Sequence, residues 1–408
     1  MQGYPGDDML HESTAARHAD AGWLADALRA SRDDTLATFD VYERSLEDLT
    51  LPQRETLNPP AWELGHIGWF QEYWIARNPQ RSLGASADAS ASRSAGVRAN
   101  ADALYDSSRV PHAARWTLRL PDARNTRADL ARQLDRTLAQ LRESGSDDSS
   151  LYFFRLALLH EDMHHEAALY MAQSLGVAID DPRWHVAAPL GACEQLEFES
   201  CKWPLGAEGH GFAFDNELEA HLVTLPPAQI DTRVLCWEEF LPFVAAGGYE
   251  QPQWWNEAGR AWLAAVRPAL PRYTRRDGST WQHWRHGQWT ALDTAQAACH
   301  LTAFEAEAWC RWAGRRLPTE AEWERAAIER PGEFEWGQVW EWTASPFLPY
   351  PGFEPHPYRD YSAPWFGSRP VLRGASFMTQ PRMRHPRYRN FFMAHRNDVA
   401  VGFRTCGP

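Results

Sequence analysis

The sequence predicts an α+β protein in which an N-terminal helical bundle precedes a loop-rich second domain. Residues 1–180 contain four amphipathic segments whose apolar residues recur at helical spacing, the pattern of a four-helix bundle. From about residue 181 onward, Pro, Gly and Trp become frequent and the apolar runs shorten. Most of the 21 tryptophans lie in this second part. We therefore predict two domains, residues 1–180 and residues 181–408.

The four N-terminal helices are delimited by periodicity and by their end signals. They are predicted over residues 14–44, 61–77, 127–142 and 150–175. The second begins directly after Pro59 and Pro60, because proline is tolerated in the first turn of a helix. Residues 82–102 contain few apolar side chains, which predicts a mobile surface loop. In the second domain only residues 236–244 and 303–312 read as helices.

Charge and composition exclude several classes of protein. Lys and Arg number 41 against 54 Asp and Glu, a net charge of −13, which argues against nucleic acid or an anionic membrane as a partner. No apolar run is long enough for a transmembrane helix, and the first residues lack the features of a secretory signal. The six cysteines form no C-x-x-C pair and no disulfide framework. We expect a cytoplasmic protein.

Three histidines form the clearest candidate for a chemical site. Residues 160–166 read HEDMHHE inside the fourth predicted helix, so His160 and His164 lie one turn apart on one face. His66 lies among aromatic residues of the second helix, where an unpaired buried imidazole is costly. Helices two and four of an antiparallel bundle can face each other. Three imidazoles would bind one metal ion and leave coordination positions open for substrate and oxygen.

The same histidines allow other interpretations. His160, Glu161 and His164 match the H-E-x-x-H motif of metalloproteases, in which the glutamate is the general base on a zinc-bound water. The third zinc ligand would then lie downstream, with His185 as a candidate. That interpretation leaves His66 and the second domain without a role. A non-catalytic ligand-binding protein with structural histidines is a further alternative.

Several motifs resemble known families. The arrangement of His66, His160, His164 and Glu166 is similar to the metal motif of DinB-like bundles. The second domain contains AGRRLPTEAEWE at 313–324, VWEWT at 339–343, VLRGAS at 371–376 and VGFR at 401–404. These motifs resemble the formylglycine-generating-enzyme (sulfatase-modifying-factor) fold, a variant of the C-type lectin fold. Over nearly its whole length the chain resembles the ergothioneine-type sulfoxide synthases, the EgtB/OvoA-like family.

The resemblance implies an iron- and oxygen-dependent reaction. These enzymes use non-haem Fe(II) and O₂ to join sulfur to the imidazole of hercynine, the trimethylated betaine of histidine. The related selenoneine synthases (SenA) use a selenosugar as donor. The implied iron ligands are His66, His160 and His164. Glu166 is the implied carboxylate that fixes a ligand imidazole, whereas His165 is turned away from the metal.

Substrate contacts are also implied by the resemblance. The hercynine pocket falls at Asn390, Phe391 and Phe392, where an aromatic face suits a trimethylammonium group that cannot donate hydrogen bonds. Arg115 and Arg119 lie near the place where the family has arginines for the carboxylates of the sulfur donor.

A tyrosine near the iron delivers a proton or an electron to the bound oxygen species in the family. The candidates in this sequence are Tyr350, Tyr358 and Tyr361.

The departures from the family pattern concern the donor. Synthases that use γ-glutamylcysteine have Asn-Trp-Asp at the positions that correspond to residues 390–392 of this chain. The third position here is Phe392, so the carboxylate that would pair with the donor's ammonium group is absent. Met163 stands where a glutamine is common, so a further hydrogen bond to substrate is lost. Residues 384–389 have none of the copper-binding cysteines of formylglycine-generating enzymes, which excludes their chemistry.

These departures favour a neutral sugar donor, so we predict a selenoneine synthase. The alternative is an ergothioneine-type synthase that uses a thiol, cysteine or γ-glutamylcysteine, since cysteine-using synthases also lack the acidic residue. A third candidate is a DinB-type metal-dependent thiol transferase, which would not require O₂.

Overall fold

The computed structural model describes residues 5–186 and 189–408, and it confirms the predicted α+β class. The helices of the first half are α1 (Pro5–His18), α2 (Ala21–Ser45), α3 (Pro60–Gln71), α4 (Ala101–Tyr105), α5 (Ala123–Arg142) and α6 (Asp148–Leu175). A single π-helical turn, Glu72–Ala76, extends α3. The four long helices α2, α3, α5 and α6 pack against one another as a bundle.

Local capping determines where these helices begin and end. The carboxylate of Asp20 accepts a hydrogen bond from the backbone N–H of Trp23, so the predicted helix 14–44 is divided into α1 and α2. Asp147 caps α6 in the same way through the N–H of Ser150. Gly176 ends α6 with a φ of 75°, a left-handed conformation that suits glycine.

The segment predicted to be a mobile loop, residues 82–102, instead packs on the bundle. Gly84 has a φ of 54°, and a Cβ there would lie 2.8 Å from the Cα of Ser149 at the start of α6. The backbone N–H of Val97 donates to Glu72 at 2.7 Å. Low apolar content predicted mobility, but backbone hydrogen bonds and close approach to α6 give this segment a defined path.

The second half combines four helices with short strands. Its helices are α7 (Trp237–Ala245), α8 (Glu257–Val266), α9 (Ala303–Ala313) and α10 (Glu320–Glu329). The strands are β1 (Gln195–Phe198), β2 (Cys201–Leu205), β3 (His221–Leu225), β4 (Ala228–Asp231), β5 (Thr274–Asp277), β6 (Thr280–Arg285), β7 (Gln288–Ala291), β8 (Trp340–Pro346), β9 (Pro370–Gly374), β10 (Asn390–Phe391) and β11 (Val401–Gly402). The sequence reading missed α8 and α10. Within the described ranges, no helix has the length and hydropathy to cross a bilayer.

The strands form one four-stranded sheet and three smaller units. The larger sheet has the order β10-β9-β8-β11, in which β8 and β11 are parallel and the other neighbours are antiparallel. The pairs β1-β4 and β2-β3 are antiparallel, and β5, β6 and β7 form a meander. β10 is therefore an edge strand of this sheet.

Buried ion pairs join the sequence motifs of the second half. Glu324 of the first motif pairs with Arg373 of the third, and both side chains are fully buried. Glu341 of the second motif accepts from Arg404 of the fourth at 2.8 Å and from the indole of Trp323 at 2.8 Å. Motifs that are far apart in the sequence therefore form one charge-compensated network beneath the sheet.

Helix α6 also forms the contact between the two halves. Asp162 accepts two hydrogen bonds from Arg382, at 2.8 and 3.0 Å, and both residues are buried. One apolar core extends through both halves and includes Leu28 of α2, Phe153 of α6 and Trp342 of β8. The two halves consequently hold α6 in one position.

Breaking one buried pair should destabilise the second half strongly. We expect Arg404→Leu to lower the free energy of unfolding by about 3–5 kcal/mol, because Glu341 would remain buried without its counter-ion. The measurement is denaturant unfolding followed by tryptophan fluorescence. Arg330→Leu, which breaks the exposed pair with Glu333, is the control and should change stability by about 0.5 kcal/mol or less. Equal effects of the two substitutions would contradict this account.

Candidate metal centre and active site

Three histidine rings from α3 and α6 lie side by side. The ring centroids of His66 and His160 are 5.2 Å apart, those of His66 and His164 are 4.8 Å apart, and those of His160 and His164 are 4.4 Å apart. One ring nitrogen of each lies within 4.8 Å of the others. The structure thus brings together the three residues that the sequence singled out, in an arrangement that can hold one metal ion.

Hydrogen bonds orient two of the rings. Nδ1–H of His66 donates to the backbone carbonyl of Tyr105 at 2.8 Å. Nδ1–H of His164 donates to the carboxylate of Glu63 at 2.5 Å. Since both partners can only accept, Nδ1 of each ring carries a proton, which leaves Nε2 as the nitrogen available to a metal ion. This is the tautomer that metal-binding histidines adopt.

The third ring has no hydrogen-bond partner of its own. His160 stacks on Phe70 with the ring centroids 3.4 Å apart, and it is buried. Neither ring nitrogen has a hydrogen-bond partner, which is costly for an imidazole in an apolar environment. A metal ion bound between the three rings would satisfy one of these nitrogens, so the residues present fit such an ion.

Burial keeps the imidazoles of His66 and His160 neutral. Burial, followed by the neighbouring His164, lowers the pKa of His66 to about 3. Burial and the two adjacent imidazoles hold the pKa of His160 well below its usual value. Burial alone would raise the pKa of Glu63, but the charge and hydrogen bond of His164 lower it to about 2. Neutral nitrogen ligands beside one carboxylate are suited to a divalent cation.

The metalloprotease interpretation is wrong for this site. Glu161, which would be the general base, is buried and paired with Arg32 at 2.7 Å. His185, the candidate third ligand, has Nε2 bonded to the carbonyl of Ile179 at 2.8 Å. His66 occupies the third position beside the H-E-x-x-H pair instead.

The neighbours of His164 in sequence point away from the other two histidines. The ring of His165 shares a hydrogen bond with Thr38 at 2.9 Å and contributes no ligand nitrogen to the group.

Glu166 makes no hydrogen bond to a ligand imidazole, because two residues along a helix rotate a side chain by about 200°. Its carboxylate accepts from Trp340 at 2.7 Å, Ser376 at 2.7 Å and Thr379 at 2.9 Å. In the structure it is Glu63, and not Glu166, that hydrogen-bonds to one of the three histidines.

A cavity of about 620 Å³ opens next to the histidines, between the two halves of the chain. His160 and His164 are part of its wall. Predicted substrate contacts that line it are Arg115, Met163, Asn390, Phe391 and Phe392. Its aromatic wall also includes Trp340, Tyr358, Tyr361, Trp365 and Tyr388. The cavity is large enough for two small substrates next to a metal ion.

The three candidate tyrosines occupy different positions. The ring of Tyr358 lies 6.0 Å from that of His160, at the cavity wall. Tyr361 shares a hydrogen bond of 2.7 Å with Tyr388, also at the wall. Tyr350 is buried elsewhere and donates to Glu320 at 3.1 Å. Its position excludes Tyr350 from contact with a substrate in this cavity.

The predicted substrate residues of the second half are held by local contacts. Asn390 accepts a hydrogen bond from the backbone N–H of Phe391 at 2.8 Å. The ring of Phe391 stacks on that of Phe347 with the centroids 4.1 Å apart. Across the cavity, the sulfur of Met163 accepts from the hydroxyl of Tyr388 at 3.4 Å.

The two predicted arginines of the first half differ in position. Arg115 stacks on the indole of Trp62 at 3.9 Å and donates to Asn58 at 2.8 Å. Its side chain lines the cavity. Arg119 is exposed and is not part of the cavity wall. The structure therefore supports a substrate contact for Arg115 only.

The sequence reading missed Glu63, which lies three residues before His66 on α3. An acidic residue in a helix whose other side chains are largely apolar was the available signal. It also missed Tyr388, Trp340 and Arg369, which reach the cavity from loops and strands of the second half. Their approach depends on tertiary contacts that have no local pattern.

Removing the acceptor of His164 should weaken metal binding. We expect Glu63→Ala to lower the affinity for Fe(II) or Co(II) about 10- to 100-fold, because His164 loses the group that fixes its tautomer. The measurement is an anaerobic metal titration. Glu55→Ala, an exposed position just before α3, is the control. An unchanged affinity in Glu63→Ala would show that the carboxylate does not orient a metal ligand.

Two regions of the chain match models of known protein families. Residues 27–168, which include all three histidines, match the DinB superfamily. Residues 199–338 match the sulfatase-modifying factor enzyme 1-like domain. The two matched regions lie in the helical half and in the sheet-containing half, respectively.

Individual relatives extend the similarity to nearly the whole chain. A hercynine oxygenase of Mycolicibacterium smegmatis is 29% identical over 93% of this chain and 97% of its own length. A hercynine oxygenase of Mycobacterium tuberculosis is 29% identical over 85% of this chain and 90% of its own length. A formylglycine-generating enzyme of Streptomyces coelicolor is 30% identical over 35% of this chain and 49% of its own length. The chain is therefore an enzyme that is similar over nearly its whole length to hercynine oxygenases and contains regions similar to the DinB superfamily and to the sulfatase-modifying-factor domain.

Proposed function

We propose that this enzyme uses Fe(II) and O₂ to form a carbon–sulfur bond on the imidazole ring of hercynine. The observation that carries the proposal is the group of three histidines from α3 and α6, two of which, His160 and His164, line an interdomain cavity. Similarity across nearly the full length to two hercynine oxygenases supports hercynine as the substrate. Three imidazoles leave coordination positions open for oxygen and a donor, which supports this reaction class.

The histidines would hold iron through Nε2 of His66 and His164 and a ring nitrogen of His160. Bound Fe(II) supplies the activation of oxygen and of the sulfur donor. The protein contributes the geometry, because Glu63 and the carbonyl of Tyr105 fix two of the rings before the metal binds.

The cavity wall suits a small betaine. A trimethylammonium group offers no hydrogen-bond donor, so the faces of aromatic rings are its natural partners. Tyr361, Phe391 and Phe392 provide such faces, and the side chain of Asn390 provides a polar contact. The imidazole of the substrate would then be held next to His160 and His164, and this positioning accounts for a large part of the rate enhancement.

Tyr358 is the tyrosine best placed to move a proton. It is nearest to His160 of the three candidates, and its ring contacts that of Phe70 edge-on at 4.8 Å. Burial, followed by Asp360 and Asp106, raises the pKa of Tyr358 above its usual value. The hydroxyl is therefore protonated at neutral pH and able to donate its proton to a reacting atom in the cavity.

A selenosugar donor, and thus a selenoneine synthase, is the second candidate. It is favoured by the absence of a free carboxylate deep in the described part of the cavity wall. Phe392 and Met163 are apolar, and Glu166 already accepts three hydrogen bonds. Asp360 is exposed at the rim. A donor with a free ammonium group would find few anionic partners here, whereas a neutral sugar needs no counter-ion and would be held by hydrogen bonds and aromatic faces.

A panel of donors tests the proposed function. Iron-loaded enzyme is incubated aerobically with hercynine and, separately, cysteine, γ-glutamylcysteine or a 1-seleno sugar, and the products are identified by mass spectrometry. We expect a new carbon–sulfur product with a thiol. A product with the selenosugar alone would establish the second candidate. The absence of any hercynine-derived product with all three donors would contradict the proposal.

The metal assignment is tested by His66→Ala. Because two imidazoles cannot hold iron as three do, we expect loss of bound iron and of turnover together. Iron is measured by elemental analysis after anaerobic loading. His210→Ala, at an exposed position, is the control and should retain both. Full iron content and turnover in His66→Ala would exclude His66 as a ligand.

A further inference from the structure

Arg369 is a cation without a counter-ion at the wall of the cavity. It directly precedes β9, and its side chain lies among the residues that line the cavity. In the part of the chain that the structure describes, its guanidinium makes neither a hydrogen bond nor an ion pair. Its Nε is fully buried without a partner. Neither the family comparison nor the sequence motifs assign it a role.

Aromatic stacking fixes the plane of this guanidinium. Its Cζ lies 3.9 Å from the ring centroid of Trp365 and 5.7 Å from that of Phe391. A stacked guanidinium keeps its edge free, and the edge carries the N–H groups that bind a carboxylate through two parallel hydrogen bonds. The arrangement is therefore preorganised for a planar anion.

The surrounding charges do not neutralise Arg369. Asp398 is engaged by Arg396 at 2.8 Å, and Glu166 by its three neutral donors. Asp360, the remaining acidic residue of the wall, is exposed and makes no ion pair with Arg369. Burial, followed by the nearby Arg396, lowers the pKa of Arg369 to about 10, so the group is still charged at neutral pH. The cavity thus has an unmatched positive charge at this point.

We propose that Arg369 binds the carboxylate of the betaine substrate and so determines which end of the molecule faces the histidines. This inference rests on the proposed function. A trimethylammonium group is repelled by the guanidinium, whereas the carboxylate, one carbon away, is attracted to it. With the carboxylate at Arg369, the ammonium group lies against the free aromatic faces and the imidazole is left to extend towards His160 and His164.

The test compares hercynine with N,N,N-trimethylhistamine, which lacks the carboxylate. For the wild-type enzyme we expect a KM for hercynine about 10- to 100-fold below that for the analogue, as a charge-assisted bidentate contact allows. In Arg369→Met the two KM values should become similar, through a rise in the value for hercynine. Turnover of the analogue by the variant demonstrates a folded, iron-loaded site. Arg369→Lys should give intermediate discrimination, since the charge remains but the paired N–H groups do not.

Two further variants separate the outcomes. Arg359→Met, at an exposed position of the same loop, should show the same difference between the KM values for hercynine and the analogue as the wild type. Discrimination that persists in Arg369→Met would overturn the inference and leave the proposed function intact. Loss of discrimination in Arg115→Met instead would assign the carboxylate to Arg115 and also overturn it. A rise in the KM of the donor alone in Arg369→Met would overturn it as well, by assigning Arg369 to the donor. If the wild type turned over neither hercynine nor the analogue, the proposed function itself would be refuted.

Discussion

The packing of α3 against α6 is the contact on which the site depends, because it brings three imidazoles together and buries those of His66 and His160. An imidazole enclosed in this way is held neutral, and the unpartnered nitrogens of His160 make the site costly unless an ion occupies it. Glu63 and the carbonyl of Tyr105 direct the remaining lone pairs inward. The bundle therefore offers three imidazole nitrogens that could hold a metal ion, and hydrogen bonds to Glu63 and to the carbonyl of Tyr105 orient two of the rings.

The second half of the chain completes this site in two ways. It fixes the position of α6, because the carboxylates of Asp162 and Glu166 on this helix accept hydrogen bonds from residues of the second half. It also provides most of the cavity wall from the residues around β9 and β10. The buried pairs of Glu324 with Arg373 and of Glu341 with Arg404 hold the sheet from which this wall projects. Arg369, which has no counter-ion, makes one part of that wall positive, and this charge complements the carboxylate of a betaine.

Local patterns in the sequence located the long helices of the first half and singled out the three histidines, but they did not reveal α8 and α10. Periodicity located α5 and α6 within a few residues, and the spacing of His160 and His164 placed both on one face. The predictions that failed concern side chains whose positions depend on tertiary contacts. The hydrogen-bond partner of His164 is Glu63 and not Glu166, because it comes from the neighbouring helix α3 and not from α6 itself. Tyr350 could not be distinguished from Tyr358, since a loop without periodicity does not reveal which side chains turn inward.

The most direct test of the account is whether hercynine consumption requires oxygen. Iron-loaded enzyme, hercynine and a thiol donor are mixed in an oxygen-electrode cell, and product is quantified by mass spectrometry with and without O₂. We expect oxygen uptake that tracks product formation, and no product in anaerobic solution. Undiminished product formation without oxygen would contradict the account and would indicate a metal-dependent thiol transferase built on the same three histidines.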